Sequence, residues 1–195
     1  MFYSMWFEAF SVSTGIVALA EIGDKTQLLA LLLAARFKKP WPIVGGIFAA
    51  TVVNHALAGA VGAWLLTLIG PTGLRWGLGL SFLAMACWML IPDKLDEEDT
   101  RLRDGAGVFL ATLIAFFLAE MGDKTQIATV MLAAKYPLLW PVVLGTTLGM
   151  MLANAPVVWF GERAARFLPT RLVHGIAALL FAALGVLALL GIGMP

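Results

Sequence analysis

Apolar residues run through this chain in six long blocks, roughly 12–35, 43–69, 74–91, 106–134, 141–160 and 172–192. Each reaches about 20 residues, the length a helix needs to cross a bilayer. Between them lie polar or proline-containing breaks: "RFKKPWP" (36–42), "GPTG" (70–73), "PDKLDEEDTRLRDG" (92–105), "KYP" (135–137) and "ERAARFLPTR" (162–171). The pattern predicts an all-α, polytopic membrane protein with six transmembrane helices. Composition agrees. Only 13% of residues are charged and 61% are hydrophobic, where a soluble domain carries about 25% charged residues. The net charge of +1 and the lack of a basic cluster give no sign of a nucleic-acid partner. The first residues, "MFYSMWFEAF", lack the positive start of a cleavable signal peptide, and Phe2, Tyr3, Trp6 and Phe7 suit an interfacial aromatic belt. The single cysteine, Cys87, lies in an apolar run and reads as a small core residue.

The blocks fall into two halves. "EIGDKTQ" (21–27) returns 99 residues later as "EMGDKTQ" (120–126). The same offset relates Trp41-Pro42 to Trp140-Pro141, Gly46 to Gly145, Gly62 to Gly161 and Arg36 to Lys135. Residues 1–91 and 106–195 are therefore expected to be two three-helix repeats, joined by an acidic cytoplasmic linker at 92–105. An odd number of spans per repeat makes the second half enter from the opposite side, the inverted-repeat plan of many transporters, with the site at the repeat interface near the midplane. Basic residues set the orientation. Arg36, Lys38, Lys39, Lys94, Arg101, Arg103, Arg163, Arg166 and Arg171 fall on one side, Arg75 and Lys135 on the other. The first side is expected to be cytoplasmic, with both termini outside.

Eight of the twelve acids fall in loops or near the N-terminal edge. The other four are Glu21, Asp24, Glu120 and Asp123, and the only bases inside spans are Lys25 and Lys124. An acid at the centre of a membrane helix costs roughly 2.5–3.5 kcal/mol even on a lenient scale. These six charges must therefore meet one another, water or an ion. On a continuous helix, Glu21 and Asp24 share a face and Lys25 lies one turn from Glu21, and the second copy repeats this. Gly23 and Gly122 permit a close helix crossing or a local break. A buried ion pair would use one acid per lysine and leave the second acid unmatched. The remaining formal charge of −2 is cancelled by one divalent cation or by two protons.

The motifs offer carboxylates, the hydroxyls of Thr26 and Thr125 and the amides of Gln27 and Gln126, but no histidine or thiol. Such oxygen sets suit Mg2+, Ca2+ and Mn2+. "GDKT" is not a phosphate-binding loop, which needs Gly-x4-Gly-Lys-Ser/Thr after a strand. His55 and Asn154 correspond under the offset, with Asn54 beside His55. The three either line a pathway or make interhelical hydrogen bonds. Ser13 and Thr112 also correspond and read as packing hydroxyls, and His174 reads as interfacial.

The paired Glu-x-Gly-Asp-Lys-Thr phrases, one in each half, resemble the membrane family that includes the Gdt-type Golgi cation/proton exchangers and the bacterial MneA-type manganese exporters. The resemblance covers essentially the whole chain. It implies a transporter, not an enzyme, that moves Mn2+ or Ca2+ as substrate in exchange for protons. It also implies that Glu21, Asp24, Glu120 and Asp123 bind the cation, with no cofactor and with membrane lipid as the surroundings. The Gln that follows both copies looks most like the bacterial exporters, whose place would be the inner membrane. Two other functions compete: export of a cationic amino acid, whose amine four acids could hold, and intramembrane hydrolysis of a lipid phosphate. The last needs a nucleophile or base beside the acids, and neither motif has a serine, histidine or cysteine.

Overall fold

A computed structural model describes residues 2–91, 107–161 and 170–192. The expected linker at 92–105 and the bases Arg163 and Arg166 lie outside the described residues. Every regular element among those described is a helix. In chain order they are α1 (Phe2–Glu21), α2 (Lys25–Phe37), α3 (Pro40–Leu68), α4 (Pro71–Trp88), α5 (Val108–Ala119), α6 (Lys124–Lys135), α7 (Leu139–Phe160) and α8 (Thr170–Leu189).

Local chemistry sets most of these limits. α3 and α4 begin on Pro40 and Pro71, where the missing N–H is one the first turn would leave unpaired anyway. α2 ends where Lys38 turns left-handed, at φ 52°, and its N–H reaches back to the Ala34 carbonyl at 3.0 Å. Among the described residues, three helices are both long and apolar enough to cross a membrane singly: α3, α7 and α8. The blocks 12–35 and 106–134 are not single helices. Each is divided at its motif, into α1 and α2 and into α5 and α6. The first also starts ten residues earlier than its apolar block, because the aromatic stretch from Phe2 is helical. Tyr3 and Phe7 stand exposed on it, as a belt requires.

Packing relates the halves through exchanged contacts. α1 lies along α7, and α5 lies along α3. Gly46 on α3 backs onto the Phe109 carbonyl and Thr112 of α5. Gly145 on α7 backs onto the Phe10 carbonyl and Ser13 of α1. All three residues of the first contact map onto the second under the 99-residue offset. A Cβ at either glycine would sit within 2.8 Å of that carbonyl, so both crossings require glycine.

The third helix of each half breaks this exchange. α4 and α8 pack on each other, α8 leans on α1, and α4 leans on α6. One buried apolar cluster accordingly joins residues of α1, α4, α6 and α8, with Phe82 against Phe181 at 6.2 Å between ring centroids. The other joins α2, α3 and α5 around Leu29, Leu33, Ile47 and Phe116. The two motif breaks lie where α1 passes into α2 and α5 into α6, between these clusters. Cys87 is not a core residue. It faces out from α4, because the buried face of that helix runs through Leu78, Phe82, Met85 and Met89.

Candidate cation site

Most positions of the repeated phrase have a local task. Gly23 and Gly122 take φ of +83° and +76°, a left-handed conformation that side chains resist. That stops α1 at Glu21 and α5 at Ala119. Asp24 and Asp123 follow in extended conformation as the N-caps of α2 and α6. Gln27 and Gln126 reach back, their Oε1 atoms accepting from the N–H of Gly23 at 3.0 Å and Gly122 at 2.7 Å. This is a capping-box arrangement carried one residue further back. The phrase therefore encodes helix stop, turn and helix start. Its carboxylates sit at the ends of half-helices, where N–H and C=O groups are left over and the helix dipole is strongest.

The break overturns the reading of Lys25 on the same helical face as Glu21, since the helix ends between them. Lys25 is half-buried and interacts electrostatically with Glu120 of the other half. Lys124 is 1% exposed, and its Nζ donates to the Ile91 carbonyl beyond α4 at 2.7 Å.

Glu21, Asp24, Glu120, Asp123, Thr26, Thr125, Gln27, Asn54, His55 and Asn154 are all buried, and Gln126 is partly so. One carboxylate oxygen from each of Glu21, Asp24 and Asp123 falls within 4.8 Å of the others. The cluster thus draws on both motif copies. Glu21 also feels the charge of Glu120. Glu120 is held by its own motif: Thr125 Oγ1 donates to its Oε2 at 3.0 Å and lies 3.4 Å from Asp123 Oδ2. The Asp123 carboxylate also accepts the Thr125 N–H at 3.4 Å. In the first copy Thr26 Oγ1 is 3.5 Å from Asp24 Oδ2, and Glu21 is held from another helix. Asn154 Nδ2 donates to Glu21 Oε1 at 3.1 Å and is 3.0 Å from Met150 Sδ. Gln27 Nε2 donates to the Ala153 carbonyl at 3.1 Å. Asn54 Nδ2 donates to the Phe117 carbonyl at 3.1 Å, an interhelical bond. His55 has neither ring nitrogen hydrogen-bonded.

One residue at the motif went unread in the sequence, Thr170, and another, His174, was read only as interfacial. His174 is not merely interfacial: its Nε2 lies 2.7 Å from the Ile22 carbonyl in the first turn. Thr170 packs against Gly23. With Leu90 and Arg171 they line a cavity of about 370 Å3 beside that turn. No signal in the chain announced this, because nothing in α8 repeats with the motif.

The description "Divalent cation/proton antiporter GDT1" belongs to a family model that matches residues 9–97 and 108–193, nearly the whole chain. The chain belongs to this family. A GDT1-family chain is a membrane transporter, not an enzyme, and its substrates are divalent cations and protons. Among its relatives, a Vibrio cholerae protein named "Putative manganese exporter" is 54% identical over 173 residues, covering 88% of this chain and 85% of that one. A Synechocystis protein, "GDT1-like protein sll0615", is 30% identical over 191 residues, with 89% and 92% covered. A rice protein, "GDT1-like protein 4", is 29% identical over 200 residues, with 90% and 70% covered. No solved structure matches the chain.

Proposed function

We propose that this chain exports Mn2+ from the cytoplasm across a bacterial inner membrane, drawing protons in as the metal leaves. The convergence of acid oxygens from both motif copies within 4.8 Å carries this reading. Glu21, Asp24 and Asp123 form the core of the cation site, and Glu120 completes it. Thr26, Thr125, Gln27 and Gln126 hold the turns. Lys25 and Lys124 limit the negative charge of the empty site. The name of the 54%-identical Vibrio relative supports Mn2+ over Ca2+.

In this reading the chain crosses six times as two inverted halves, 1–91 and 106–195, joined by the cytoplasmic linker 92–105, with both termini outside. The exchanged contacts of Gly46 and Gly145 support that symmetry. Half-helix ends at the midplane are where transporters of this plan hold ions. Returning the empty site as a bare −2 charge through an apolar layer would be costly. Two protons taken up on the carboxylates remove that charge, so two protons in for one Mn2+ out is electroneutral.

Purified protein in liposomes tests this with Mn2+ flux and lumenal pH read together. An imposed pH gradient, acid on the side to which metal is delivered, is expected to drive Mn2+ transport, and voltage alone is not. Current scaling with metal flux would overturn two-for-one coupling. Flux indifferent to a collapsed proton gradient would overturn antiport. Ca2+ flux with no Mn2+ flux would reassign the substrate. Amino-acid flux alone would favour the competing exporter.

A further inference from the structure

The two carboxylate pairs have partners of different chemistry on the helices that cross them. Asn154 on α7 donates to Glu21 Oε1 at 3.1 Å. Its counterpart under the 99-residue offset is His55 on α3, and the counterpart of Glu21 is Glu120. Contacts along α3 fix the level of His55. Asn54 bonds the Phe117 carbonyl, one turn before Glu120. Two turns further on, Gly62 packs on Val130 and Ala133, past the second turn. His55 therefore stands on α3 near the level of the break that carries Glu120, outside the three acids whose oxygens converge within 4.8 Å. It is fully buried, and neither Nδ1 nor Nε2 has a hydrogen-bond partner. Glu120 Oε1 is also buried without one. Leaving such groups unpaired is costly, a cost that a ligand able to bridge ring nitrogen and carboxylate removes.

We propose that His55 is the nitrogen donor of the cation site, joining Glu120 on the bound ion and setting the preference of the site for a transition-metal ion over Ca2+. The inference rests on the transport reading above and refines it. The motif alone offers only oxygen, which suits Ca2+, Mg2+ and Mn2+ alike. One imidazole changes that ranking. Ca2+ seeks six to eight oxygens and gains little from a neutral nitrogen, while divalent transition metals gain more from imidazole, Mn2+ the least of them as the first in the Irving–Williams order. Asn154 supplies no such donor to the first copy, so the asymmetry between equivalent positions is itself the selectivity element.

The test uses His55→Asn, which places at 55 the residue the first half already carries at 154. Wild type and variant are compared for Mn2+ and Ca2+ apparent affinity in liposomes. Pulsed electron paramagnetic resonance of Mn2+ bound to the purified protein is recorded alongside. The wild type is expected to show nitrogen-14 coupling to Mn2+, lost in the variant. The ratio of Mn2+ to Ca2+ affinity is expected to fall by about tenfold, the scale on which residues around a metal act. His55→Gln serves if the first variant fails to fold. Nitrogen coupling that survives substitution, or is absent from the wild type, would overturn the assignment, as would an unchanged affinity ratio. Nitrogen-coupled Mn2+ without any flux would instead sink the transport reading and leave His55 as a ligand.

Discussion

The two motif turns carry the same polar residues and live in different surroundings. At the first turn, Glu21 is held from outside by Asn154, Gln27 reaches across to the Ala153 carbonyl, and Thr170 and His174 of α8 press on the backbone. At the second, Glu120 is held from within by Thr125, and Lys124 is buried against the end of α4. A shared phrase fixes the turn and the supply of carboxylates. The crossing helices decide how each carboxylate is held. Duplicated chemistry therefore need not be equivalent chemistry.

The strongest way to break the comparison is to remove acids one at a time. Asp24→Asn and Asp123→Asn each take a charge from the three-oxygen cluster, and each is expected to lower Mn2+ flux at least about 100-fold with expression intact. Full flux in either would show that the two turns do not share one ion.

Glycine substitution sharpens the comparison through stability. Both glycines are left-handed, which costs a side-chain residue roughly 1–2 kcal/mol. An added Cβ at Gly23 would also lie 2.5 Å from Thr170 Cγ2, whereas Gly122 has nothing within 4 Å. Gly23→Ala is expected to lower the unfolding temperature in detergent clearly more than Gly122→Ala. Equal shifts would mean that α8 does not press on the first turn.

A smaller asymmetry is expected at the threonines. Thr125→Val removes the 3.0 Å bond to Glu120. A buried acceptor left without its partner costs about 1–3 kcal/mol, so turnover is expected to fall about tenfold. Thr26→Val loses only a 3.5 Å contact and is expected to stay within about threefold. The reverse order in a flux assay would show that Glu120 is not held by its own motif.

The lysines should differ least. Lys124→Met is expected to slow turnover several-fold while apparent Mn2+ affinity is kept or raised, because a buried cation beside the site is lost. Lys25→Met, at a half-buried position, is expected to do the same more weakly. Unchanged turnover in both would assign the lysines no part in balancing the site.

Much of this was legible in the chain. Apolar block lengths gave an all-helical membrane protein, and the doubled phrase singled out the residues that gather at the breaks. Hydropathy could not show that those helices stop, because it averages over 12–35 and 106–134 and an apolar turn looks like an apolar helix. The left-handed backbone at Gly23 and Gly122 is permitted by glycine and closed by the back-reaching Gln27 and Gln126, which hydropathy does not register. Reading the motif as continuous helix put Lys25 on Glu21. Once the helix ends between them, the lysine instead acts on Glu120. The motif itself carries no imidazole, and the nitrogen donor proposed above, His55, comes from α3, whose place is set by the crossings at Gly46 and Gly62.

Each break also makes two rods of one apolar block, joined at the charges. At 1.5 Å per residue α1 is about 30 Å long, α2 about 20 Å, and α5 and α6 about 18 Å each. A rod pivoting at its joint moves its far end most and its near end least. A tilt of about 10° carries the free end of α2 about 3.5 Å sideways while Asp24, at the fulcrum, moves by a small fraction of that. The break thus couples a wide swing at the free ends of the rods to almost no displacement of the carboxylates at the joint.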